Sequence, residues 1–397
     1  MDRKIINFNT SWLYSATDIP QYKETAFDDS GFDKVCLPHA NKILDKHKGP
    51  DFQREIDSYR FVSWYRRHFS IPSGYSKCRI MVEFEAVANA AEIFVNGEYV
   101  TEHKGAYTGF TVDITDYVSI GEDNVIAVRV DSTKRTDIPP EGHDVDYCLF
   151  GGIVRNVRMI ITSGAHIVNT FTTTPQLALT NGARTAVCSE TTILNEGKDR
   201  EYSVEVQVTD AQGRVCASSE SECMLIKSGE TAVIRQITAQ IESPWLWDVE
   251  SPYLYTVITR LKADGEYLDD LSHKLGMRWF AFGDSKNDGS GFMINGRKLK
   301  LVGINRHEQW PWIGRAVVNR HQAEDADLIK QTGFNAVRCS HYPQSPAFLS
   351  RCDELGIIVF EEAPGWQHIG DEEWQRVYIH NVEEMILRDR NHPCIAT

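Results

Sequence analysis

Apolar and polar positions follow three successive patterns along the chain. Up to about residue 165, short runs place apolar side chains at alternate positions: 79–84 (RIMVEF), 91–95 (AEIFV) and 124–131 (NVIAVRVD). Period two is that of a strand with one face in a core. Asn96-Gly97 interrupts the pattern between 91–95 and Tyr99-Val100, and Asn-Gly suits a type I′ hairpin turn because both central residues need positive φ. Many short strands without a long helix predict a jelly-roll sandwich over residues 1–165. Residues 166–278 continue in strands, at 185–194, 202–208, 230–241 and 253–261, with turns at 195–197, 211–213 and 263–265. Roughly 110 residues at this spacing predict an immunoglobulin-like sandwich. It holds no polar cluster that suggests chemistry.

After Gly276 the pattern changes. A hairpin turn at Asn295-Gly296 leads into 299–305, the expected first buried strand, which ends on Arg306-His307-Glu308. Residues 322–331 read as an amphipathic helix stopped by Gly333, and 335–339 as a strand. Ser345 caps a helix over 346–355 that Gly356 stops. Then come a strand at 357–360, a helix at 372–388 and the start of a fourth strand at 394–397. Strand–helix–strand units join right-handedly into a parallel sheet, so residues 279–397 read as the first half of a (β/α)8 TIM barrel. The fold class is multidomain β plus α/β. Arg338, His341 and Glu362 emerge at the C-terminal ends of adjacent parallel strands, where such barrels build active sites. Glu361 and Glu362 point to opposite faces, so they cannot flank one bond together.

Composition narrows the partners. A formal charge of -14 and a pI near 5.4 argue against nucleic acid and anionic membranes, and a neutral substrate such as a sugar fits better. Nine cysteines without metal spacing predict reduced thiols and a cytoplasmic location. MDRKIINFNTSWLYS lacks the apolar core of a signal peptide, and no stretch is long and apolar enough for a membrane span. Trp12, Tyr14, Trp64, Tyr65 and Tyr107 are expected in the core rather than on a sugar.

NAVRCSHYP at 335–343 followed by CDELGIIVFEE at 352–362 resembles the signature of family-2 glycoside hydrolases, the β-galactosidases, β-glucuronidases and β-mannosidases. GINRHEQWP (303–311), RDRNHP (388–393), FGGIVRNV (150–157), LWDVESPYLY (246–255) and FVNGEYVTEHKGAYTGFTVDIT (94–115) agree, in the right order over essentially the whole chain. The resemblance implies a sugar-binding jelly roll, an immunoglobulin-like domain and a catalytic barrel that cleaves terminal β-linked sugars with retention. NRHE before a proline and Gly314-Arg315-Ala316 are most like a β-galactosidase; EHKGAYTGF fits a β-glucuronidase equally well.

By resemblance, Asp146 reaches from the jelly roll into the sugar site, and His307 and His341 hydrogen-bond substrate hydroxyls. Arg338 orients the nucleophilic carboxylate, and Glu362 supports these groups from behind. The family's acid/base and nucleophile are expected beyond Thr397, which predicts an N-terminal portion inactive without the remainder. Glu308 with Glu362 is geometrically conceivable as a substitute pair. No cofactor is expected. Where some β-galactosidases hold Mg2+ with Glu-x-His, this chain reads Trp366 and His368, so no metal is expected. Ala88, with Asn89 beside it, stands where some members have a galactose-contacting asparagine. The expected partners are a β-glycoside, galactoside favoured, and a second copy or a complementing C-terminal half. A half barrel is expected to expose an open sheet edge and apolar helix faces, and so to self-associate, to be poorly ordered after about residue 370, or to depend on a complementing chain. The rival reading is a non-enzymatic carbohydrate-binding protein using the jelly roll and Asp146.

Overall fold

The computed structural model describes residues 3–41, 60–141, 145, 147–283, 291–365 and 368–397. The first unit is a sandwich of two antiparallel sheets. Lys4–Asn7, Val157–Thr162, Arg79–Phe84 and Phe110–Asp113 form one, with Met159 opposite Val82. Asp33–Val35, Trp12–Ser15, Val62–Ser70, Asp123–Asp131, Ala90–Val95 and Glu98–Lys104 form the other, with Tyr65 opposite Val128. Trp12, Tyr65, Ile80, Val82, Phe84, Ile93 and Val128 pack between them. Tyr22, Trp64 and Phe94 make a second cluster on the outer face of the larger sheet. Residues 124–128 are therefore buried without interruption, where alternation alone predicted a polar outer face. All five tryptophans and tyrosines expected in the core are buried. Asn96 (φ 51°) and Gly97 (φ 86°) make the expected hairpin turn.

The second sandwich pairs Ala165–Thr173, Cys188–Asn195 and Glu230–Ile237 against Val215–Glu220, Arg200–Thr209, Tyr255–Ala263 and Glu266–Leu275. Tyr255–Ala263 alternates buried and half-buried along its whole length. Two expected strands are broken. The run at 185–194 splits at 186–187 and the run at 230–241 ends at Ile237, because Arg184–Thr185 pairs instead with Ile241–Glu242. Glu266–Leu275 is an edge strand whose exposed polar positions hid it in the sequence.

The third unit opens with the antiparallel hairpin sheet Phe280–Phe282, Phe292–Ile294 and Arg297–Leu299. The parallel sheet follows: Gly303–Arg306, Ala336–Cys339 and Ile358–Phe360, with Arg338 opposite both Asn305 and Phe360. The first barrel strand is thus shorter than the 299–305 predicted and is not buried. Leu299 belongs to the hairpin, and Gly303–Asn305 are exposed because a neighbouring strand covers one side only. Residues 394–397 line the other edge, where Val359 N–H donates to Cys394 O (2.8 Å) and Ala396 N–H to Val359 O (2.9 Å). The intervening helices are Asn319–Gln331, Pro346–Leu355 and Glu372–Asp389. Among the described residues no helix is long and apolar enough to cross a membrane.

Local chemistry sets the middle helix. Ser345 Oγ accepts from Ala347 N–H, Pro346 occupies the first turn, and Gly356 stops the helix in the left-handed region at φ 68°. Ser345→Ala should lower stability by about 1 kcal/mol, the usual loss of an N-cap. Urea unfolding checks this, and an unchanged midpoint would mean that the cap carries nothing.

The last helix is covered on one side by the jelly roll. Trp374 Nε1 donates to Glu141 O (3.0 Å), Asn381 Nδ2 to Lys104 O (3.0 Å), and Val377 packs with Ala90 and Ile138. The helix's exposed apolar positions are Ile379, Ile386 and Leu387, of which Leu387 borders a cavity shared with His103 and Phe110 of the jelly roll.

Candidate functional site

Parallel register brings Arg306, Cys339 and Phe360 to one end of the sheet, and the residues just beyond them form a rim. Glu362 is gripped there from two sides. Arg338 Nε donates to its Oε1, and His341 Nδ1 lies 2.9 Å from its Oε2. Arg338 Nη2 is 3.4 Å from the same nitrogen. Glu362 thus fixes the guanidinium and the imidazole together. Arg338, with 43% of its side chain exposed, keeps N–H groups on the open side of the rim.

His307 follows the first barrel strand, and its ring centre is 5.5 Å from that of His341. The Tyr342 hydroxyl lies 3.4 Å from His307 Nδ1. Tyr147, from the jelly roll, stands 5.4 Å from the His307 ring, 6.0 Å from His341 and 5.4 Å from Tyr342. Burial pushes the Tyr147 phenol well up, and the Tyr342 phenol up to about 12, so both stay protonated at neutral pH. Four of the five expected site residues, Arg338, His341, Glu362 and His307, are thus brought together. Asp146, the fifth, lies outside the described residues, as does Trp366. His368 meets the Trp374 ring edge-on at 5.5 Å. Ala88 and Asn89 are both buried, Ala88 in a backbone bridge to Gly152.

Glu308 is sealed away from this rim. It is fully buried, and Arg155 of the jelly roll bonds both its oxygens (Nη2–Oε2 2.6 Å, Nε–Oε1 3.3 Å). Gln322 donates to the same carboxylate. Arg155 also donates to Tyr107 O (3.0 Å) and Pro343 O (2.6 Å). Beside it, buried Arg315 lies 3.9 Å from the Tyr107 ring and 4.1 Å from the Tyr342 ring, which stack at 4.3 Å. Pairing Glu308 with Glu362 across a substrate is therefore ruled out. Glu361 points away, as alternation requires; burial and neighbouring Asp389 raise its carboxyl well above the ordinary value.

Sequence reasoning missed Tyr147 and Tyr342 as parts of this site, and Arg155 as the group that seals Glu308 away from it. Tyr147 and Tyr342 each adjoin a residue that had been singled out, Asp146 and His341, and that adjacency was the available signal. Among the described residues one grouping offers several metal-ligating atoms: Asp353, His392 and Cys394. Its carboxylate is already engaged by His392 Nδ1 (2.5 Å) and Cys394 N–H (2.9 Å), which tie the start of the fourth strand to the middle helix.

The chain is similar to known proteins along its length. Residues 50–163 match the glycosyl hydrolases family 2 sugar binding domain, 165–278 the model described as glycosyl hydrolases family 2, and 286–397 the family 2 TIM barrel domain. A β-galactosidase of Thermoanaerobacter pseudethanolicus is 45% identical over 397 residues, all of this chain and 51% of that protein. A β-glucuronidase of Bacteroides fragilis is 31% identical, over 83% of this chain and 46% of its own length. Among solved structures, Bacteroides uniformis β-glucuronidase superimposes with a TM-score of 0.89 at 29% identity, covering 99% of this chain and 46% of that one. The chain spans about half the length of these relatives.

Proposed function

The chain belongs to glycosyl hydrolase family 2, and from that membership we propose that it supplies the sugar-recognising part of a retaining β-galactosidase. The observation that carries the reading is the carboxylate of Glu362 holding Arg338 and His341 on the barrel rim beside His307. In this reading His307 and His341 exchange hydrogen bonds with substrate hydroxyls, since imidazole can donate and accept. Arg338 turns its remaining N–H groups to the nucleophilic carboxylate and fixes its orientation. Asp146, which precedes Tyr147 in sequence, is assigned a contact with a sugar hydroxyl by its match to the family aspartate alone.

Retaining hydrolysis needs two carboxylates roughly 5–5.5 Å apart, an acid/base and a nucleophile. Of the carboxylates that follow the barrel strands, Glu308 is sealed by Arg155, Glu361 faces away, and Glu362 is engaged by its two partners. In this reading the chain by itself is inactive, and both reacting carboxylates come from outside it. The galactoside preference rests on the 45%-identical β-galactosidase; the superposition on β-glucuronidase supports a glucuronide as the second reading.

The test uses 4-nitrophenyl β-galactoside and β-glucuronide, offered to the pure chain and to the chain joined to the second half of the similar β-galactosidase. The pure chain should hydrolyse neither, and the joined protein should favour the galactoside. Hydrolysis by the pure chain would overturn the inactive reading. A preference of the joined protein for the glucuronide would overturn the galactoside.

A further inference from the structure

Ser243-Pro244-Trp245-Leu246-Trp247 carries two tryptophans with opposite fates. Trp247 is fully buried and donates its indole N–H to Asp353 O at 2.7 Å. Trp245, two residues earlier, is 67% exposed. It stacks on Tyr253, ring centres 6.0 Å apart and planes 28° apart, and Tyr253 meets Tyr255 edge-on at 5.0 Å. Hydroxyls fasten this aromatic floor to the backbone: Tyr255 Oη accepts from Trp245 N–H (2.9 Å) and Tyr253 Oη from Ala211 N–H (3.2 Å). The rings are held in place before any ligand arrives, so little ordering is left for binding to impose.

A cavity of about 450 Å3 opens beside the floor, with Gln212, Arg214 and Glu242 on its rim. That volume lies in the small-ligand range of roughly 300–1,000 Å3. The distribution of polarity narrows the occupant. An entirely apolar ligand would strip water from the rim groups without replacing their hydrogen bonds. A phosphorylated one would find little free positive charge, since Arg214 gives its Nε to Asp210 (2.7 Å) and Glu242 stands nearby. A pyranose matches both parts. Its axial C–H face lies flat on an aromatic ring, and its equatorial hydroxyls reach outward to amide, guanidinium and carboxylate.

We propose that Trp245 and Tyr253, with the rim of Gln212, Arg214 and Glu242, form a second saccharide-binding site on the immunoglobulin-like sandwich, taking a neutral pyranose of a glycan. It lies on a different domain from the His307–His341 rim and would hold a longer glycan while the barrel works on a terminal sugar. The choice of ligand rests on the glycoside reading above.

Native gels cast with soluble neutral β-1,4-galactan test this on the pure chain. The parent should be retarded, and Trp245→Ala should bind roughly tenfold more weakly, the loss expected for one stacked ring. Trp245→Phe should keep most of the retardation. Parent and Trp245→Ala retarded equally, or a parent not retarded at all, would overturn the site. Trp245-dependent retardation supports it even where the joined protein cleaves no aryl galactoside, a result that would count against the galactoside reading alone.

Discussion

Arg155→Met should lower stability by about 3–5 kcal/mol, because it leaves the Glu308 carboxylate buried without its strongest partner. The two side chains are 3% and 1% exposed, so water cannot take over the lost interactions. The same substitution removes the bond from Arg155 to Tyr107 O within the jelly roll and the bond to Pro343 O, which joins the jelly roll to the loop after the second barrel strand. Urea unfolding at pH 7 measures the loss. A midpoint equivalent to less than about 1 kcal/mol of change would refute the rivet, since that is the range of an exposed pair. Arg155→Met with Glu308→Leu should recover much of the loss, because apolar replacement of a whole buried pair is often neutral.

The pH dependence has a definite sign. Burial alone would raise the Glu308 carboxyl, but the guanidiniums of Arg155, Arg315 and Arg306 outweigh it and hold it below 4.5, its ordinary value. A group depressed in the folded state stabilises fully above its unfolded pKa, and loses that contribution as pH falls through the folded one. The parent's share from Glu308 is thus complete above about pH 4.5 and fades below it. In Arg155→Met burial gains weight against the remaining cations, and protonation relieves the stranded charge. The gap between parent and variant should narrow from pH 7 to pH 4. A gap that widened would contradict the ion-pair account.

Elements governed by neighbours in sequence were legible. Ser345, Pro346 and Gly356 fix both ends of one helix within a dozen positions, and the observed helix is the expected one. Asn96-Gly97 folds as its φ angles demand. Legibility failed where a distant partner decides. Leu299 looks like the start of a barrel strand until Phe292 takes it as a hairpin partner. Glu308 looked as available as Glu362 because Arg155 lies 153 residues away. At the rim, strand ends and alternation brought out Arg338, His341 and Glu362, since three short parallel strands suffice to align them. Tyr147 could not be placed in the same way, because it arrives from another domain through a loop with no periodicity. Folding decides which charged groups are sealed and which stay open, and that decision separates Glu308 from Glu362.

Trp247→Ala should also cost about 3–5 kcal/mol, the range for truncating a fully buried large aromatic, and its effect should fall on one junction. Trp247 belongs to the chain of the second sandwich but packs with Val249, Phe292, Phe348 and Val359 in the core of the half barrel. Its indole bond to Asp353 O ends on the helix that also anchors His392. Removing the ring opens a cavity between the two units, so limited proteolysis should cut the variant near residues 278–283 while the parent resists. Trp247→Phe keeps part of the volume and loses the indole bond, for which an intermediate loss is expected. Trp245→Ala, in the same peptide, removes an exposed ring and should shift the urea midpoint by no more than about 0.5 kcal/mol, as surface substitutions do. Equal losses for the two alanine variants would break the distinction between a tryptophan that joins domains and one left open for a ligand. A stable Trp247→Ala with unchanged proteolysis would show that the bonds from the Arg278 guanidinium to Pro393 O and Ile395 O hold the junction without it.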